Sequence, residues 1–122
     1  MVQMRLKQNF PKVSIGIPVY NGEHFLDEKI KSILDQTFSN YEIIISDNAS
    51  TDKTSIICNK FAKNEPKIRY IRQEKNIGVW GNFNFVLKEA KGDYFLWSSV
   101  DDMMLPTYLE KILDVISSNK IS

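Results

Sequence analysis

The chain has 122 residues, 43% of them hydrophobic and 25% charged, with a formal net charge of +1. That describes one ordinary globular domain, and the near-neutral charge gives no bulk attraction to nucleic acid or to an acidic membrane surface. No apolar run approaches the roughly 20 residues that span a bilayer, the N-terminus lacks a signal-peptide core, and a single cysteine excludes an intramolecular disulfide and fits a reducing cytoplasm.

After a lead-in over residues 1–11, Val13–Pro18 is short and β-branched and reads as a buried strand. Val19–Gly22 follows as a turn. Leu26, Ile30, Ile33 and Leu34 then recur at helical spacing, with Asp27, Glu28, Lys29 and Lys31 mostly on other faces, and this helix ends near Gln36. Tyr41–Ser46 is a second buried strand. It runs into Asp47-Asn48-Ala49-Ser50-Thr51-Asp52, where Thr51 or Asp52 caps a helix carrying Ile56, Ile57, Cys58 and Phe61. Cys58 faces the core. His24 has no second His or Cys near it and belongs to a helix start.

Residues Lys67–Arg72 alternate in charge, as an edge strand exposed on one side does. Asn76-Ile77-Gly78 is a turn. Val79, Phe83, Val86, Leu87 and Ala90 mark a third helix, for which Gly92 is the expected C-cap. The strand Asp93–Ser98 then ends near two adjacent acids, Asp101 and Asp102. Pro106 suits the first turn of a last helix with Leu109, Ile112, Leu113 and Ile116 on its apolar face.

The order βαβαβαβα predicts a doubly wound α/β domain, its sheet mostly parallel, with right-handed crossovers. Ligands of such sheets bind outside the carboxyl ends of the strands, where strand order reverses. Pro18–Glu23, Asp47–Asp52, Asn76–Gly78 and Ser98–Asp102 all fall on that rim. Two neighbouring carboxylates repel each other and resist burial, so they persist beside a cation or in water. A hard divalent ion takes one or two carboxylates together with phosphate oxygens. A solvated loop capping the next helix is the bland alternative.

Five motifs in this order, Pro18-Val19-Tyr20-Asn21, Ser46–Asp52, Asn76-Ile77-Gly78, Ala90–Tyr94 and Asp101-Asp102 with Pro106, resemble the family 2 glycosyltransferases from about Pro11 onward. The resemblance implies the nucleotide-binding half of the GT-A fold over residues 12–122, with strand order 3-2-1-4 and Rossmann-like βα repeats. It implies that Pro18, Val19 and Tyr20 line a nucleoside slot and that Glu23, Asn76 and Gly78 border the donor. Asp47 and Asn48 stand where an acidic pair reaches the base, and the amide at Asn48 adds donors that a carboxylate lacks. Asp102 matches the ligand of Mg²⁺ or Mn²⁺, with Asp101 facing the ribose or a bound water, or joining the metal. Ser99 and Phe83 depart from the family's acid and arginine at those places.

By the same resemblance the partners are a nucleotide-diphosphate sugar and a glycan or lipid-linked acceptor. The location is cytoplasmic, peripheral at the inner face of the membrane in the whole protein. Transfer is inverting, and the acceptor hydroxyl needs a carboxylate base that the resemblance places beyond Ser122. The chain is thus expected to be a fragment, inactive by itself, with a sheet edge open to self-association. A non-catalytic binding domain of the same fold stays open as a second reading. A receiver-type signalling module fails, because its acids would follow the first and third strands. Trp97 and Phe95 read as core or sheet-face aromatics. Trp80 either borders the donor or covers apolar surface, and Asn82 and Asn84 either bind donor or sit on a solvated helix face.

Overall fold

The structure is a computed structural model that describes residues 11–118. The lead-in, apart from Pro11, and the last four residues of the expected domain lie outside the described residues. Four strands, β1 (Val13–Val19), β2 (Tyr41–Asp47), β3 (Ile68–Arg72) and β4 (Tyr94–Trp97), alternate with four helices. These are α1 (Leu26–Leu34), α2 (Thr54–Asn64), α3 (Gly78–Glu89) and α4 (Tyr108–Ser118).

All pairings are parallel and the order is β3-β2-β1-β4, as expected. β1 lies in register with β2 from Val13↔Tyr41 to Val19↔Asp47, and with β4 from Val13↔Tyr94 to Gly16↔Trp97. The order reverses at β1, so the loops after β1 and β4 face each other at the carboxyl ends. β2 is buried throughout and β1 nearly so, which is why both read as continuous apolar runs.

Alternation along β1 sorts the two faces. Val13, Ile15, Ile17 and Val19 join Leu26, Ile30 and Ile33 of α1, Cys58 of α2 and Leu109 of α4 in one core. The three apolar residues of α1 are fully buried, each stabilising the fold by about 2 kcal/mol. On the opposite face Gly16 lies under α3. A Cβ there would come within 2.7 Å of the Phe95 ring and 2.9 Å of Val86 Cγ2, so only glycine admits the helix this close. No helix among the described residues is long and apolar enough to cross a membrane.

Gly92 differs from expectation. α3 ends at Glu89, and Ala90 leaves it in an extended conformation. Gly78 is the one glycine at positive φ among the described residues. Gly92 is glycine for another reason: a Cβ there would sit 2.8 Å from both the N and the Oγ of Ser14. That contact is part of a join at the foot of the sheet. Ser14 Oγ donates to Glu42 (2.6 Å) and accepts from the Gly92 N–H (2.8 Å), while the Lys91 N–H donates to Glu42 (2.8 Å).

The remaining differences are small except one. α1 ends at Leu34, two residues short of Gln36. α2 begins at Thr54, where Asp52 Oδ1 accepts the Thr54 N–H (2.9 Å). Pro106 precedes α4 by two residues. The exception is Lys29, expected on an outer face and found 1% exposed.

Candidate functional site

The first and second rim loops are sewn together. The Asn48 N–H donates to the Val19 carbonyl (2.9 Å), and the Asn21 N–H to Ser50 Oγ (2.8 Å). The Gly22 N–H donates to Thr54 Oγ1 (2.9 Å) and the Glu23 N–H to Asp52 Oδ2 (3.1 Å). In return Asn21 Oδ1 accepts the Thr51 N–H (2.8 Å), and Glu23 accepts the Lys53 N–H (3.3 Å). Two residues are left-handed here, Asn21 (φ 52°) and Ala49 (φ 62°). Asn tolerates that region; for Ala it costs about 1 kcal/mol, a strain held by the loop's hydrogen bonds.

Asp47 is the main holder. Its carboxylate is fully buried and accepts the Ser50 N–H (2.9 Å), the Tyr70 hydroxyl (2.5 Å) and Arg72 (3.2 Å). Burial, and then the bond to Asp47, push the Tyr70 phenol well above its ordinary range. Burial, helped by the charges of Asp47 and Asp52, pushes the Cys58 thiol up to about 12, an inert core thiol. Asn48, 4% exposed, accepts the Ile77 N–H (2.8 Å) and donates to Asn76 Oδ1 (3.0 Å) and the Gly78 carbonyl (3.3 Å). Both side chains are turned into the protein and engaged, so they build the wall of the site and shape its backbone. Asn76 is on the exposed turn, where its Oδ1 also accepts the Gly78 N–H (2.8 Å).

Asn82 is neither at the surface nor on a solvated helix face. It is 3% exposed, accepts from Ser46 Oγ (2.5 Å) and donates to the Ser46 carbonyl (3.0 Å), pinning α3 to the end of β2. Asn84 is exposed. Phe95 packs under Gly16, whereas Trp97 is 46% exposed and lies stacked on Phe83. Trp80 is 77% exposed and meets the edge of Phe83.

Across the switch point, the Ser98 N–H donates to the Gly16 carbonyl (2.8 Å), carrying the β4 ladder one residue further. The chain then turns out, and Asp101 and Asp102 are both exposed. Ser99 Oγ donates to Asp101. A cavity of about 350 Å³ lies between Pro18, Phe83, Val100 and Asp102. A second, of about 400 Å³, lies beyond the loop between Lys29, Asp102, Met103 and Tyr108. Tyr20, 51% exposed, stands on the same rim. Val100 lies close to Gly22, whose Cβ would come within 3.2 Å of it, so the loops after β1 and β4 touch.

Lys29 is the residue that the sequence reading missed. Its ammonium donates to the Asp102 carbonyl (2.6 Å) from a buried position. Desolvation lowers its affinity for a proton, and the charges of Asp102 and Asp101 partly restore it. The signal was present: position 29 is three residues after Leu26 and four before Ile33, on the apolar face by spacing.

No group of three or more His, Cys, Asp or Glu side chains converges among the described residues. Two exposed carboxylates at a strand end suit an oxygen-seeking ion that fills the rest of its shell with phosphate and water.

A family description, "Glycosyl transferase family 2", matches residues 14–121. The chain belongs to glycosyl transferase family 2. An uncharacterized glycosyltransferase of Rickettsia typhi is 40% identical over 114 residues, which are 92% of this chain and 35% of that protein. Across this and seven further curated relatives the chain spans 16% to 45% of their length. Staphylococcus aureus TarS in complex with UDP superposes with a TM-score of 0.82 at 28% identity, over 89% of this chain and 33% of that one. TarS is also solved in complex with UDP-GlcNAc, with a TM-score of 0.81 at the same identity. The Pyrobaculum calidifontis mannosyltransferase PcManGT, in complex with GDP-Man and Mn²⁺, shares the fold, with a TM-score of 0.79 at 22% identity over 91% of this chain and 34% of that one.

Proposed function

We propose that this stretch is the donor-binding part of a glycosyltransferase that moves a sugar from a nucleotide diphosphate to an acceptor hydroxyl, with inversion and with a divalent ion, Mg²⁺ or Mn²⁺. The observation that carries the reading is the meeting, at the switch point, of Pro18 near the end of β1 with the exposed Asp102 across one cavity. Four polar loops close on that rim, and three of them hold each other by hydrogen bonds before any ligand arrives. Preformed sites of this kind lose little ordering entropy on binding.

In this reading Pro18 and Tyr20 bound the nucleoside, Val19 contributing main chain alone because its side chain lies in the core, with Glu23 behind them and Asn76 and Gly78 at the far side. Asp47 and Asn48 act on the base through the loop shapes they fix. Asp102, with Asp101 beside it, would hold the ion, which would supply Lewis-acid stabilisation of negative charge on a diphosphate. The chain's own task is to aim the two carboxylates and to bound the space where the diphosphate lies. The UDP and UDP-GlcNAc complexes of TarS support a uridine nucleotide as the first donor to test.

Asp102 is the one carboxylate lining the Pro18 cavity among the described residues. In this reading the acceptor is a glycan or a lipid-linked sugar in the cytoplasm, at the membrane's inner face. Calorimetry with UDP, GDP and dTDP, with and without Mn²⁺, tests the proposal. Metal-dependent binding of UDP is expected, and Asp102→Ala should abolish the metal dependence. A folded sample that binds none of the three nucleotides in Mn²⁺ refutes donor binding.

A further inference from the structure

Helix α1 and the turn that follows it carry a ladder of polar side chains that grips the segment following β4. Lys29, Ser32 and Gln36 succeed one another at helical spacings of three and four, on the side that meets Asp102–Leu109. Lys29 Nζ donates to the Asp102 carbonyl (2.6 Å), and Ser32 Oγ accepts the Met104 N–H (3.3 Å). Gln36 donates to the Leu105 carbonyl (2.6 Å) and accepts the Leu109 N–H (3.1 Å). The Thr37 N–H completes the series on the Pro106 carbonyl (2.9 Å). Each rung takes a main-chain group, so the grip is on the path of the chain and not on its side chains.

The first rung is out of character with the others. A carbonyl can be satisfied by a neutral donor, yet here it is a lysine, 1% exposed as a residue, that does it. Burying a charge is costly unless something nearby repays it. Asp101 and Asp102 supply the compensating charge. The acidic loop, for its part, has little holding of its own. Between Ser98 and Leu105 its internal main-chain bond is a long one, from the Asp102 N–H to the Ser99 carbonyl (3.4 Å). Two neighbouring carboxylates without an anchor separate by opening the loop into water.

We infer that Lys29 is a positioning residue for the Asp101–Asp102 loop. Its ammonium fixes the main chain at Asp102 and supplies countercharge, while both carboxylates stay exposed to take the ion and diphosphate. The inference rests on the reading of that loop as the diphosphate end of a donor site. A bond from lysine to the carboxylate itself would occupy a ligand oxygen; a bond to the carbonyl leaves both carboxylate oxygens of Asp102 to a ligand.

The test uses the chain as it stands, in wild-type form and as Lys29→Met, which keeps the length and burial of the side chain and removes the donor and the charge. Amide hydrogen exchange is followed without ligand, and UDP binding in Mn²⁺ is measured by calorimetry. Loss of a hydrogen bond from a charged group predicts exchange at least about tenfold faster across residues 102–109, and UDP·Mn²⁺ affinity at least about tenfold weaker. Protection of β1 and β2 stays unchanged, which separates positioning from general loss of stability. Ser32→Ala should loosen the same segment in the same direction, by less. Exchange in 102–109 that matches wild type, exchange that rises equally over the whole sheet, or affinity that is unchanged or higher overturns the inference. If Lys29→Met does not fold, Lys29→Leu, which also lacks a donor and a charge, takes its place with the same outcomes. If wild-type protein binds no UDP, the donor-site reading fails, and the exchange of residues 102–109 alone decides whether Lys29 anchors the loop.

Discussion

Asn48→Asp replaces one atom and keeps the shape of the side chain, so its effect isolates hydrogen-bond polarity. The orientation of the native amide is set by its partners: the Ile77 N–H must meet an oxygen, which turns the NH₂ toward Asn76 Oδ1 and the Gly78 carbonyl. A carboxylate keeps the first bond and loses the other two, at about 1 kcal/mol each. It also sets an anionic oxygen against two acceptors. Asn76 cannot relieve this by rotating its own amide, because its Oδ1 already accepts the Gly78 N–H. The combined cost is about 3 kcal/mol. A chain of 122 residues unfolds with an entropy of about 0.25 kcal/mol/K, so Tm at pH 7 should fall by about 12 °C.

The sign of the pH dependence follows from the same contacts. Neighbouring acceptors favour the protonated acid, which donates, so the new carboxyl titrates above its unfolded value of about 3.9. The penalty is whole at neutral pH, shrinks as pH falls through the raised folded value, and is least below about pH 4. Differential scanning calorimetry of both proteins at pH 7 and pH 4 measures it. A variant within about 2 °C of wild type at pH 7 would refute the account of Asn48 as the clamp on the Asn76 turn.

Gly92→Ala should lower stability by about 2 kcal/mol, the cost of overpacking a tight contact, because its Cβ meets Ser14 main chain; urea denaturation checks this. Tyr41, 5% exposed, has its phenol pushed up to about 12 by burial first and by Glu65 and Asp35 next. Its contribution to stability is therefore present below pH 10 and lost as pH rises toward 12, and Tyr41→Phe should flatten the urea midpoint over that window. Cys58 should resist an aromatic disulfide reagent at pH 8 until denaturant is added; rapid labelling of native protein would contradict its burial. Among the described residues β4 pairs on one side only, and its Tyr94 and Leu96 line a groove of about 140 Å³ with Ile112 and Ile116 of α4. We propose self-association there, and monomeric sedimentation at high concentration would count against it.

The order of elements was readable because β1 and β2 are buried on both faces and the helices present periodic apolar stripes. The edge position of β3 was readable from alternating charge in Lys67–Arg72. What escaped was the purpose of polar residues at buried places. Lys29 looked like surface because charge was weighed above position, although its stem lies with Leu26 and Ile33. Asp47 and Asn48 looked like ligand contacts because a polar loop after a strand is read as facing outward. Here they face inward to partners 23 to 30 residues away, Tyr70, Arg72, Ile77 and Gly78. Gly92 was assigned by its place after a helix, whereas the contact that demands it is with a strand 78 residues earlier. Long-range partners of this sort leave no local periodicity.

The inward-facing rim divides the site into positions that can vary and positions that cannot. Asp47, Asn48 and Asn82 each satisfy several partners at once, so changing any of them alters the scaffold before it alters selectivity. Tyr20, Trp80 and Ser99 are exposed on the same side and lie outside that interior bracing. A library aimed at new donor preference should therefore be drawn from these outward positions. Most members randomised at the inward ones would be lost to misfolding before any sugar was offered.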